Sequence, residues 1–437
     1  MTKLTFSSAG KERIALIDSL RGFAIFGILC INLPFMALPG EIVSNPTLLN
    51  ETGINYQLWH KIFWPFYGSQ RAMFSLLFGA SVLLFIQAKQ KQTEMITVSD
   101  LYYRRQLWLI VFGLINVYIL LWDGDIIFDY GCYGLVLFVF RNLSPSKLLA
   151  AAGICALLMI ARENRDMFLE KRIISKGESI ARIDTSSVKL SAEQQDVLKD
   201  MEEIKSASAK EQKLEDLNKA KRMMTGTYAD AYQYRTDGYV DVFVHYTVFA
   251  IWDVLLFMFC GMAFLKMGWL TGNASSKVYL LLMIIGLSLG LTLNWWRLNL
   301  LQEVRFNHFE FVKRLPFEVY EIGRIFRSLG WFGLLMLLFK SGWFQWLFNL
   351  LKPVGQMAFT NYLYQYIIGA ILFYGFGFGW YGRFQRYEVY LIALAIMLFQ
   401  IVLSHVWLRY FAMGPLEWIW RQLTYWKTLP IRKTKTS

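Results

Sequence analysis

Histidine and cysteine are scarce, with four of each in 437 residues. Cys30, Cys132, Cys155 and Cys260 all sit in apolar stretches without metal-ligand spacing. They read as small core residues and exclude a disulfide framework. His60, His245, His308 and His405 share no ligand spacing, which argues against zinc or any other structural metal. Charge is also sparse, at 18% of the chain against 56% hydrophobic and 17% aromatic. That balance is too apolar for an ordinary soluble domain. No Walker A loop, Gly-x-Ser-x-Gly elbow or dinucleotide fingerprint occurs in a credible context, which disfavours ATP-driven, serine-hydrolase and Rossmann oxidoreductase chemistry. No tightly bound cofactor is implied. Solenoid repeats and low-complexity tracts are absent. The first apolar run lacks a small-residue cleavage pattern and reads as a retained span.

What the chain does have is long apolar runs. Ten segments approach the roughly 20 residues needed to cross a bilayer: 15–37, 69–88, 105–122, 126–141, 146–161, 240–265, 277–296, 325–340, 355–376 and 388–411. The expected fold is therefore all-α, a polytopic transmembrane helix bundle of about ten spans with one charged extramembrane helical insertion. Residues 1–161 form a first bundle, 162–238 the insertion and 239–437 a second bundle. With the N-terminus inside, nineteen Lys and Arg fall in inner segments and nine in short outer ones. The nine include Arg324 and Arg327. This asymmetry predicts cytoplasmic termini and an extracytoplasmic 162–238, in a cell membrane. It also explains the net charge of +13 as attraction to anionic lipid, with no nucleic-acid partner.

The insertion holds fifteen Lys/Arg and fifteen Asp/Glu. Ser191 and Gln194 match a capping box, and Val197, Leu198, Met201 and Ile204 follow at helical spacing, so a helix or helical hairpin is expected over about 191–224.

Several polar residues stand out against the apolar background. Asp18 and Arg21 can pair on one helix face, with Gly22 beside them to allow close helix approach. Asn32 lies deep in the first span and is either an interhelical hydrogen bond or a handle on a substrate or oxyanion. Arg71 lies at or inside a membrane boundary, where a cation is either functional or snorkelling. His60 stands after the first span, where an imidazole can take a proton at neutral pH or simply occupy the interface. Asp123, Asp125 and Asp129 crowd a tight hairpin, suited to acid/base work, to cation binding or to turn hydrogen bonds. Asp253 is mid-span and should pair. Gln356, Thr360 and Asn361 form a polar stripe that is either interhelical glue or a cavity wall. Near the C-terminus, Gly414-Pro415 should break a helix. Trp418 and Trp420 suit a headgroup layer, and Glu417 and Arg421, four apart, should face each other.

Five of these stretches together resemble a known family. They are Asp18-Ser19-Leu20-Arg21-Gly22 with Asn32, Arg71 with Phe74-Ser75-Leu76-Leu77-Phe78-Gly79, Gly124-Asp125-Ile126-Ile127 with Tyr130, the 353–365 segment, and Met413-Gly414-Pro415 through Tyr425. The chain thereby resembles the YeiB-like bacterial integral membrane proteins, a family of unassigned function. Its first span also resembles the wider transmembrane acyltransferase superfamily.

That resemblance implies an acyl group moved from a cytoplasmic acyl thioester, with acyl-CoA as co-substrate, to an extracytoplasmic glycan, lipid or small-molecule acceptor. On that reading Asn32 and Arg71 stabilise the acyl oxyanion or bind the donor. His60 or Asp125 is the base. Arg21, Glu417 and Arg421 form an entrance for the anionic donor. Two other classes stand beside it. A transporter or exporter would use the same intramembrane polar residues. A non-catalytic scaffold or sensor would use the insertion.

Overall fold

The computed structural model describes residues 8–91, 94–183, 189–237 and 239–433, with backbone alone for 8–14 and 239–250. Expectations placed on Lys3, Lys11, Arg13, His245 and Lys435 fall outside the described side chains. The described chain is all-helical apart from one isolated bridge, Phe411 with Arg432. Eighteen α-helices run in this order: α1 (Ser8–Ala37), α2 (Gly40–Ser44), α3 (Gly53–Phe66), α4 (Ser69–Gln90), α5 (Met95–Tyr118), α6 (Ile127–Leu137), α7 (Pro145–Ile180), α8 (Ala192–Ala207), α9 (Lys210–Met224), α10 (Tyr228–Thr236), α11 (Tyr239–Lys266), α12 (Ser276–Glu303), α13 (His308–Arg314), α14 (Tyr320–Ser341), α15 (Gln345–Gln356), α16 (Ala358–Phe373), α17 (Arg386–Tyr410) and α18 (Pro415–Tyr425).

Six described stretches are long and apolar enough to cross a membrane: Ala15–Ala37, Gly53–Gln90, Pro145–Ile180, Ser276–Glu303, Tyr320–Ser341 and Arg386–Tyr410. Helices occupy all ten places expected from the sequence, but α6 and α16 are short. Leucines and isoleucines stand exposed along the outsides of α7, α12 and α17, for example Leu157, Ile284 and Leu394. Around buried polar residues such as Gln400 and Ser404, that pattern is the inverse of a water-facing helix and suits a lipid-facing one.

Glycine lets the bundle close. A Cβ on Gly22 would collide with the Leu351 carbonyl, and one on Gly355 with the Asp18 carbonyl, so α1 and α15 touch backbone to backbone. Gly79 and Gly261 do the same for α4 and α11. In the absence of a hydrophobic drive between helices in lipid, such close approach is what supplies dispersion contact.

The insertion is a hairpin, as the 191–224 pattern predicts. The Gln194 amide donates to Ser191 Oγ at 3.2 Å, and the Ser191 amide to Gln194 Oε1 at 2.8 Å. Met201 is buried with Ile174, Phe309 and Val312, while Leu198 and Ile204 pack beside it. The hairpin is anchored at its other end, where the Gly375 amide donates to the Met224 carbonyl at 2.8 Å. It is thus seated on one end of the bundle rather than trailing from it. The 161/162 boundary falls inside α7, which runs through without a break.

Two of the nine cations counted as outer-loop charges belong elsewhere. Arg324 and Arg327 lie on α14 and are fully buried, at 1% and 0% exposure. The apolar run that starts at 325 hid their helix, which begins five residues earlier.

Candidate functional site

At the end of the bundle away from the insertion, α1, α4, α5, α6, α15, α16 and α18 surround a cavity of about 210 Å³. Its mouth is basic. Arg21, Arg105 and Arg421 line it, from α1, α5 and α18. A neighbouring hollow of about 350 Å³ shares Arg21, Phe85 and Arg421 and adds Asp18, Lys89 and Tyr425. The inward walls are apolar: Phe74, Leu77, Phe78, Val82 and Leu109, closing at Ile126, Tyr130 and Tyr362.

Each cation at the mouth is held differently. Arg21 pairs with Asp18 at 2.9 Å and also donates to Ser81 Oγ. The Arg105 guanidinium lies 3.5 Å from the centroid of Trp420, whose indole N–H donates to the Arg105 carbonyl at 3.0 Å. Neither Arg105 nor Arg421 makes an ion pair among the described residues. A guanidinium stacked on indole and facing an open cavity keeps its in-plane N–H groups available, which suits phosphate or carboxylate.

Of the two tryptophans of the C-terminal signature, Trp420 does not face a headgroup layer. Trp420 is buried under Arg105, and Trp418 donates to the Leu429 carbonyl at 2.7 Å. Glu417 does not pair with Arg421 either. Its Oε1 accepts the Phe359 and Thr360 amides at 2.8 and 3.1 Å, and its Oε2 accepts the Thr360 hydroxyl at 2.5 Å. The first amides of α16 have no intrahelical acceptor, and a carboxylate there satisfies them along with the helix dipole. That demand outweighs an i,i+4 pair with a side chain that can reach solvent. Thr360 Oγ1 in turn accepts the Leu416 amide at 3.1 Å, so α16 and α18 cap each other's starts.

Asp125 stands behind the blind end of the cavity. Its Oδ1 accepts from Asn116 at 2.7 Å and from the Tyr362 hydroxyl at 3.4 Å, and its Oδ2 accepts the Phe128 amide at 2.7 Å. The Asp125 carboxylate is not on the cavity wall, and Tyr362 stands between. Tyr362 packs edge-on against Tyr366, whose hydroxyl accepts from Asn32 at 2.9 Å. Asn32 is therefore an interhelical hydrogen bond that reaches the site only through two tyrosines. From Arg105 to Asn116 along α5 is about 16 Å, so the basic mouth and Asp125 stand one extended thin chain apart.

Arg71 lies in a different cluster. It donates to Asp253 Oδ2, while Arg324 donates to Asp253 Oδ1 at 2.6 Å and to Glu321 at 2.7 Å. This bridge joins α4, α11 and α14 and gives Asp253 the partners its mid-span position demands. His60 is on α3, among the rings of Tyr56, Trp59 and Trp64, and lines neither hollow. Asp123 pairs with Arg235 of α10 at 3.0 Å. The expected polar stripe is split between two helices: Gln356 ends α15 and lines the cavity, while Asn361 of α16 donates to Ser404 and accepts from Gln400 through its carbonyl, at 3.0 and 2.7 Å.

The structure thus brings together Arg21, Glu417 and Arg421, places Asp125 and Asn32 behind their cavity, and leaves Arg71 and His60 apart. Arg105, Trp420 as its platform, and Tyr362 escape sequence reasoning. A basic residue eleven before Asn116, on the helix that leads to Gly124-Asp125, was the available signal for Arg105.

Comparison with known proteins gives a consistent result. Residues 264–427 match the family described as "Protein of unknown function (DUF418)". The chain is 28% identical over 446 residues to "Uncharacterized protein YxaH" of Bacillus subtilis (strain 168), covering 97% of each chain. It is 27% identical over 422 residues to "Uncharacterized protein YeiB" of Escherichia coli (strain K12), covering 94% of this chain and 96% of that one. No solved structure matches. With that domain in its C-terminal part and this likeness along nearly its whole length, the chain is similar to the YeiB-like proteins.

Proposed function

We propose that the protein is a multi-pass acyltransferase of the cell membrane. It takes an acyl group from a cytoplasmic acyl thioester such as acyl-CoA and passes it to an extracytoplasmic hydroxyl or amine. The observation that supports this most is the cavity itself, with its three arginines at the mouth, apolar shaft and tyrosine–carboxylate pair at the far end. Phosphates of the donor would sit at Arg21, Arg105 and Arg421, and the thioester would reach Tyr362. The acceptor oxygen or nitrogen attacks the carbonyl carbon. Its proton passes to the Tyr362 oxygen as the tyrosine's own proton passes to Asp125. When the C–S bond breaks, that proton returns by the same route to the thiolate, and free thiol leaves. A water-poor shaft strengthens each of these interactions.

On this reading the termini end of the bundle is cytoplasmic and the insertion is extracytoplasmic. The test is donor binding by purified protein in nanodiscs, read by calorimetry. Acetyl-CoA and longer acyl-CoAs should bind saturably, with affinity reduced at least tenfold by Arg105→Ala or Arg421→Ala and unchanged by His60→Ala. Folded wild-type protein that binds no acyl-CoA at millimolar concentration would sink the proposal. The intramembrane Arg71–Asp253–Arg324 bridge favours a transporter as the second reading. Solute flux into proteoliposomes that Asp253 variants abolish, without donor binding, would put it first.

A further inference from the structure

Arg327 has no part in that chemistry, and its surroundings are unusual. It is fully buried on α14 and makes no ion pair among the described residues. Its Nε donates to Ser69 Oγ at 3.2 Å and its Nη2 to the Tyr67 carbonyl at 2.6 Å, but its Nη1 is buried without a protein partner. One turn earlier, Arg324 directs Nη2 to Asp253 and Glu321, and its Nη1 is likewise buried and unpartnered.

The acceptor Ser69 is the first residue of α4, a helix of 22 residues that has no side-chain cap. The leading amides of a helix lack intrahelical acceptors and carry a partial positive charge. A buried guanidinium is therefore pressed against the positive end of a long helix. The nearby carboxylates, Asp253 and Glu321, are already engaged by Arg71 and Arg324. A buried cation whose neighbouring carboxylates are already engaged is among the costliest arrangements in a membrane protein.

An anion relieves all three conflicts at once. We propose that Arg327, Arg324 and the N-terminus of α4 form a binding site for a small inorganic anion of the chloride class. The turn is too closed for a phosphate ester: a Cβ on Gly68 would lie 2.5 Å from Arg324 Cδ and 2.7 Å from Tyr320 Oη. The bound anion holds the α3–α4 turn against α14, and through α4 it holds Arg71 in its bridge to Asp253.

The experiment is thermal unfolding of the purified full chain in detergent, in sodium chloride against sodium gluconate at equal ionic strength. Chloride should raise the midpoint saturably by about 3–6 °C, and gluconate should not. Crystals soaked in bromide should show an anomalous peak within hydrogen-bonding distance of Arg327 Nη1. Arg327→Gln should remove the chloride dependence, whereas Arg421→Ala should keep it. Identical wild-type midpoints in the two salts, with no bromide peak, overturn the proposal and leave water alone on the guanidinium. A chloride effect that persists in Arg327→Gln also overturns it. The wild-type arms decide the matter even where the variant fails to fold.

Discussion

Two groups of arginines lie at different levels of this bundle and are treated in opposite ways. On α4 and α14, Arg71 and Arg324 close on one carboxylate, Asp253, from two sides. At the termini end, Arg105 and Arg421 look into open space, one of them stacked on an indole. The first group joins three helices. The second makes no ion pair among the described residues and lines an apolar shaft. On the proposed reading, an arginine that serves the fold meets its counter-charge inside the fold, while one that serves a ligand is kept without one. Arg327 is the instructive exception, since it sits at the level of the first group but is partnered like the second.

Breaking the paired group should have the largest effect. Asp253→Ala leaves Arg71 without its counter-charge and Arg324 with Glu321 alone, and should cost about 3–5 kcal/mol, read as loss of folded, monodisperse protein or a steep fall in unfolding temperature. A stable Asp253→Ala would mean the bridge is not what joins α4, α11 and α14. Breaking the unpaired group should do the reverse. Arg105→Ala and Arg421→Ala should change stability by less than about 1 kcal/mol while acyl-CoA affinity falls tenfold or more. An unfolding midpoint that drops as far as affinity does would erase the contrast.

A smaller effect sharpens the distinction between cap and ion pair at Glu417. Glu417→Gln keeps one acceptor for the α16 amides and should cost about 1 kcal/mol, and Glu417→Ala about 2 kcal/mol. Arg421→Ala should leave the midpoint unmoved if Glu417 has no charge partner there. The smallest effects belong to the insertion. Ser191→Ala removes half a capping box and should raise hydrogen exchange at the start of α8 by several-fold. At Asp230, hydrogen bonds from the Thr227 hydroxyl and amide hold the carboxyl below its ordinary 3.8. That contribution is present above the ordinary value and fades as pH falls through the lowered one. Exchange at the start of α10 should therefore quicken only in strong acid, and quickening already near pH 6 would contradict the capping box.

How far the sequence could be read follows the same contrast. Periodicity and caps act within one helix, so the all-α class, the 191–224 hairpin, the Gly414-Pro415 break and the close approach at Gly22 were all legible. Arg21, Glu417 and Arg421 could be grouped because their stretches resemble a family pattern. What crosses between helices was hidden. Asp253 plainly needed a partner, but nothing in its neighbourhood names Arg71 or Arg324. Asp125 looked like a site residue, but only the packing of α16 shows Tyr362 standing before it. Glu417 looked paired with Arg421 because both lie on one helix. The stronger claim came from the open amides of another.

The continuity of α7 has a mechanical consequence. Its 36 residues make a rod of about 54 Å, well beyond the roughly 30 Å of a hydrocarbon core. One end stands among the bundle helices and the other carries α8 through Gly177 and Met201. No hinge separates bilayer from insertion along that rod. A torque applied to the α8–α9 hairpin, by a binding protein or by the cell envelope, would tilt a membrane-embedded helix and reach α11, its long neighbour and the carrier of Asp253.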